Sequence, residues 1–117
     1  MAQYEHLPIY KKALDLTVYI ENTVRGFSRY HKYTLGADLR SLCRRTLLFI
    51  VRANSERDKN STLINLRNAL EELKITMRIC KEVKAFSSLK SFTHAIEYAI
   101  SISRQNEGWI KSQRERK

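Results

Sequence analysis

The sequence predicts an all-α protein, an up-down-up-down four-helix bundle, and three observations predict it. Glycine occurs three times and proline once in 117 residues, so helix breakers are too rare for a chain of many turns. Apolar residues recur at three- and four-residue spacing in four successive segments, which is the period of a helix face. The segments between them are short and polar, and short connections make successive helices antiparallel neighbours. A chain of this length is expected to form a single domain, 1–117, with one proper core.

The elements follow in order. Residues 1–7 are expected to fray. Pro8, whose fixed φ suits a first helical turn, opens helix 1 over about 8–25. Its apolar positions are Tyr10, Ala13, Leu14, Thr17, Ile20 and Val24, and Gly26 supplies the stop. Phe27 to Tyr33 reads as an aromatic, basic loop. Thr34 is the expected N-cap of helix 2, about 35–56. Leu35, Leu39, Leu42, Thr46, Phe49, Ile50 and Ala53 fall in one narrow sector of that helix. A charged turn leads to Asn60 or Ser61, either of which caps helix 3, about 61–84. Its stripe is Leu63, Leu66, Leu70, Leu73, Met77 and Cys80. Ser87 or Ser88 starts helix 4, about 88–112, with Leu89, Phe92, Ile96, Ala99 and Ile110 facing inward. A charged tail, 113–117, is expected to be mobile.

Charge narrows the function. The chain carries 22 basic and 12 acidic residues, net +10, unevenly spread. Residues 25–59 hold nine basic against three acidic side chains, and residues 81–117 hold eight against four. A positive field concentrated in this way points to a polyanionic partner such as nucleic acid. On helix 2, Arg40 and Arg44 are expected opposite the core stripe, with Arg45 and Arg52 on a flank. On helix 3, Arg67, Lys74, Arg78 and Lys81 fall within roughly a 60° sector beside the stripe. Cations spaced along a helix can follow phosphates, although Glu71 shares that sector and can pair with Arg67 or Lys74. These eight side chains are the candidate nucleic-acid contacts.

A second set of residues is surplus to the core. Leu47, Leu48 and Val51 lie among the arginines of helix 2, and Tyr98, Ile102 and Trp109 are displaced from the inward face of helix 4. Apolar and aromatic side chains left over in this way are expected at a subunit interface.

No constellation suggests chemistry. His6, His31 and His94 are scattered, and none has a second histidine or a cysteine at helical spacing. The carboxylates lie mostly off the apolar stripes, and none begins the Glu-x-x-His pair of a di-metal bundle. A non-enzymatic protein without metal or cofactor is expected. Cys43 and Cys80 sit near apolar faces and read as reduced, buried residues. No apolar run reaches membrane-spanning length and no leader pattern opens the chain, so a cytoplasmic protein with no membrane partner is expected.

Several local strings resemble a known family. They are Leu7-Pro8-Ile9-Tyr10-Lys11-Lys12 opening helix 1, Thr34-Leu35-Gly36 opening helix 2, Ala53-Asn54 with Arg57-Asp58-Lys59 closing it, and Gly108-Trp109-Ile110 near the end. In order and spacing they resemble the accessory variability determinant (Avd) proteins of diversity-generating retroelements, over about residues 7–112. A broader similarity is to the four-helix-bundle proteins encoded within ribosomal RNA intervening sequences. The pattern departs at Ser28, where relatives often carry proline, and at Arg52, where an acidic or neutral residue is usual. The resemblance implies a basic homopentameric barrel of bundles that binds RNA and DNA, including template-repeat RNA. It also implies a reverse transcriptase as partner and a role in mutagenic retrohoming. An intervening-sequence type protein of the same fold, without a retroelement role, is the alternative.

Overall fold

The computed structural model describes residues 3–116. Five α-helices follow a short 3-10 turn at Gln3–His6: α1 (Pro8–Arg25), α2 (Arg29–Lys32), α3 (Leu35–Ser55), α4 (Asn60–Glu82) and α5 (Leu89–Glu115). Among the described residues there is no strand. The four long helices pack in a closed ring, α1 on α3, α3 on α4, α4 on α5 and α5 on α1. Side-chain pairs fix the antiparallel sense of the last contact. Tyr19 stacks on His94 at 4.3 Å between ring centres, and Lys12 lies 4.9 Å over the Tyr98 ring. As the chain rises along α1 it descends along α5.

Burial follows the expected stripes most closely on α4. Leu63, Leu66, Leu70, Leu73, Met77 and Cys80 are all buried. On α3, Leu39, Leu42, Thr46, Ile50 and Ala53 are buried, and Leu35 and Phe49 pack partly against them. The Thr46 hydroxyl is satisfied by donating to the Leu42 carbonyl at 2.9 Å, so a polar residue fits this core without an orphan group. Cys43 and Cys80 are buried free thiols. Burial, with Glu21 adding to the effect at Cys43 and Asp38 at Cys80, pushes their pKa values to about 12 and about 11. They behave as small apolar residues.

Two stripes are rotated from expectation. On α1 the buried row is Ile9, Ala13, Leu16, Ile20 and Val24, while Leu14 is exposed. Leu14 shares its sector with Glu21, which pairs with Arg40 and Arg44 of α3. On α5 the inward row is Ala95, Ile96, Ala99, Ile102, Asn106 and Ile110, and Leu89 is 66% exposed. Leu89 is the first residue of its helix and lies beyond the point where α5 meets the core.

The connections are more ordered than the sequence suggests. Gln3–His6 forms a turn instead of fraying, with the Tyr4 ring against Tyr10; Met1 and Ala2, expected to fray with it, lie outside the described residues. Within the expected loop, Arg29–Lys32 is helical, and the Ser28 hydroxyl accepts from the His31 N–H. That turn explains why Thr34 does not cap α3. Its hydroxyl donates instead to the Tyr30 carbonyl at 2.7 Å, one of the carbonyls a helix end leaves free. Nor do the side chains of Asn60 and Ser61 cap α4. The Asp58 carboxylate accepts from the Asn60 N–H, and Lys59 Nζ donates back to the Ala53 and Glu56 carbonyls at the end of α3. Of the two serines expected to start the last helix, Ser88 caps α5, accepting from Ser91 N–H at 3.1 Å. The tail expected to be mobile is helical through Glu115.

Gly26 ends α1 in a right-handed conformation that any residue adopts. The left-handed position falls on Lys84, φ 61°. Its N–H bonds the Lys81 carbonyl, and the Ala85 N–H bonds the Cys80 carbonyl, the paired bonds that commonly close a helix around a glycine.

Candidate nucleic-acid interface

The fold sorts the candidate cations into those already held by carboxylates and those free to meet a ligand. Arg40 and Arg44 stand one helical turn apart on the side of α3 that faces α1. Both reach Glu21, Arg40 Nε at 2.8 Å and an Arg44 amino group at 3.1 Å. They were expected opposite the core; the neighbouring helix supplies a carboxylate that takes them sideways. On α4, Arg67 makes two parallel hydrogen bonds to Glu107 of α5, at 2.8 and 2.6 Å. Those bonds hold the Glu107 carboxyl below the usual carboxylate range and raise the guanidinium further. Lys74 pairs with Glu71 at 2.8 Å, and Lys81 lies 3.9 Å from Glu82 and 5.2 Å over the Phe92 ring. The strip on α4 is therefore largely neutralised within the chain.

Arg45, Arg52 and Arg78 have no carboxylate within ion-pair distance among the described residues, and all three are exposed. Arg52 rests over the Phe49 ring at 5.7 Å, which fixes its stem and leaves its guanidinium edge outward. Arg45 and Arg52 are seven residues apart, two helical turns, so they share the outer face of α3.

A further cluster escaped the sequence reading. Arg57, Asp58 and Asn60 at the α3–α4 turn and Gln113, Arg114 and Arg116 at the end of α5 surround a shallow hollow of about 250 Å³. Three arginines against one aspartate leave that end of the bundle positive, and the Asp58 carboxylate is engaged by the Asn60 N–H. The only signal in the sequence was two charged segments more than fifty residues apart. Nothing short of the antiparallel fold joins them.

The apolar candidates divide likewise. Leu48 is 63% exposed, while Leu47 and Val51 are half-buried, in the same sector of α3 as Arg40 and Arg44. Tyr98 and Trp109 are half-buried and pack against the core. Ile102 is a correction: it is fully buried inside the chain. It shares a face with Ala95, Ala99 and Asn106, and small alanines bring α5 close enough to enclose it. Missed altogether was an exposed row of Ile75 and Ile79 on α4 continued by Val83 at its C-cap, spaced one turn apart.

Among the described residues, no group of three or more His, Cys, Asp or Glu side chains is placed to hold a metal ion, and no helix is long and apolar enough to cross a membrane. No curated protein matches the chain significantly. A family model described as bAvd-like matches residues 7–113, nearly the whole bundle, and the chain belongs to that family.

Proposed function

We propose that this protein is a non-catalytic nucleic-acid-binding accessory factor of a diversity-generating retroelement. In this reading it acts in the cytoplasm as a homopentamer, holds template-repeat RNA and the derived DNA, and partners the reverse transcriptase that performs mutagenic retrohoming. Membership of the bAvd-like family over residues 7–113 supports the class. The observation that carries the binding mode is a group of arginines left over after internal pairing: Arg45, Arg52 and Arg78 along the helices, and Arg57, Arg114 and Arg116 at one end. Exposed guanidinium groups without carboxylates contact phosphate oxygens and position a polyanion without reading its sequence.

Binding of this kind releases counterions. Affinity for RNA should fall steeply between about 50 and 200 mM salt and vary little among unrelated sequences of one length. Anisotropy titrations at several salt concentrations measure this, and a flat salt response would remove the electrostatic mechanism.

A further inference from the structure

The bundle carries a groove of about 470 Å³ between α4 and α5 that the phosphate-contact reading leaves unused. Its size suits a nucleotide-sized molecule. Leu70 and Ile100 contribute apolar wall, while Asn106 and Ser103 contribute polar atoms that the chain does not satisfy. Asn106 is fully buried, and its Nδ2 donates to the Leu63 carbonyl at 3.1 Å. Its Oδ1, and the buried Ser103 hydroxyl, have no hydrogen-bond partner among the described residues. Buried polar atoms are rarely left so in a native protein, because each unmade bond costs free energy. An amide oxygen accepts only, so whatever completes this site must bring an N–H or O–H.

The rim supplies the other half of the recognition. Arg67 is matched by Glu107 and Lys74 by Glu71, which leaves Arg104 as the groove's uncompensated cation. One positive charge, an apolar wall and a buried acceptor correspond to one phosphodiester, one flat ring and one donor edge. We propose that the α4–α5 groove receives a single nucleotide turned out of a single-stranded nucleic acid. Its phosphate meets Arg104 and its ring lies along Leu70 and Ile100, and a small parting of α4 from α5 at the groove floor opens Asn106 Oδ1 and Ser103 Oγ, both closed to solvent, to its base or ribose donors. The proposal rests on the nucleic-acid reading above and adds a strand preference that surface arginines do not confer. A base paired in a duplex is stacked and must be extruded before it can enter such a pocket.

The test compares a ten-nucleotide single-stranded RNA with a duplex of equal length on the full chain, for the wild type, Ser103→Val, Ser103→Ala and Arg104→Glu. Adenosine 5′-monophosphate is titrated in parallel. Ser103→Val narrows the groove and removes its hydroxyl, and Ser103→Ala removes the hydroxyl with little change in volume. Circular dichroism checks that each variant is folded. The expected result is at least a fivefold loss of single-strand affinity in Ser103→Val and about threefold in Ser103→Ala, with duplex affinity within twofold of wild type. Arg104→Glu should weaken both ligands, the single strand more. Free nucleotide binding that is lost in Ser103→Val would support the same site and make isolated nucleotides a further ligand. If the wild type binds RNA and the folded Ser103 variants bind both forms as it does, the groove proposal is overturned while the nucleic-acid reading stands. If the wild type binds no RNA, that reading fails and the monophosphate decides the groove: binding sensitive to Ser103→Val retains it as a nucleotide site, and no binding overturns it.

Discussion

Gly36 shows how a single residue can be fixed by packing with no unusual backbone angle. A Cβ there would lie 2.7 Å from Val24 Cγ1, 3.0 Å from the His31 carbonyl oxygen and 3.3 Å from a Phe27 ring carbon. The start of α3 is wedged against the end of α1 and the α2 turn, and one of the three obstacles is backbone that cannot step aside. Gly36→Ala should therefore destabilise by about 1–3 kcal/mol, the usual cost of overpacking; urea denaturation followed by circular dichroism measures it. Lys84 gives the opposite case. A side chain at φ 61° costs about 1–2 kcal/mol, and glycine there returns part of that gain as unfolded-chain entropy. Lys84→Gly is expected to stabilise by about 0.5–1 kcal/mol in the same assay, with no change in RNA affinity beyond the loss of one charge.

At the scale of the helices, the sequence and the structure agree on what is apolar and part company over what is charged. The α4 stripe was fully legible, because six strongly apolar residues at helical spacing leave little choice of inward face. The start of the last helix was legible to within one residue, Ser87 or Ser88. Thr34 was a good candidate cap on composition alone, and it lost that role to a neighbouring turn whose free carbonyl competed for its hydroxyl. The charged faces were less legible, since a cation's value depends on carboxylates far along the chain: Glu21 lies 19 residues from Arg40, and Glu107 lies 40 from Arg67. Periodicity places a residue on a face but does not say what the next helix presents to it. These pairs are half-exposed and contribute little stability. The Arg67–Glu107 contribution, present above the ordinary carboxylate pKa, is lost as pH falls through the depressed value.

The sorting changes which charge reversal tests binding. Arg44→Glu would set a carboxylate beside Glu21, so a weakened variant could owe its defect to a disturbed α1–α3 contact. Arg45→Glu with Arg52→Glu avoids this, because both side chains are exposed and free of carboxylate partners among the described residues. Surface substitutions of this kind usually change stability by about 0.5 kcal/mol or less. The double variant should keep its helicity and melting temperature and bind RNA at least tenfold more weakly at low salt. Unchanged affinity in a folded protein would shift the contact to the arginines at the α3–α4 turn and the end of α5.

For the whole molecule the open matter is what covers its exposed apolar side chains. Leu48 on α3, Ile75 and Ile79 on α4 and Leu14 and Val18 on α1 are all more than a third exposed, on a chain of 117 residues. Single exposed hydrophobes are ordinary, but rows of them on neighbouring helices mark contact surfaces. Assembly into the proposed pentamer would cover part of this area, and a ring requires one patch to meet a different patch on the next copy. Leu48 is the residue that separates assembly from folding. At 63% exposure it contributes little to the isolated bundle, so Leu48→Glu should leave the helices intact. At an interface the same change buries an unpaired carboxylate, which is strongly unfavourable. Ile102→Glu is unsuited to the purpose, because that side chain is enclosed by its own chain and the variant would unfold. Multi-angle light scattering of the wild type should give a mass of about five chains, and Leu48→Glu should move it toward one with unchanged circular dichroism. A wild type that remains monomeric at micromolar concentration would remove both the interface and the pentamer, leaving the exposed rows to the polymerase partner proposed above.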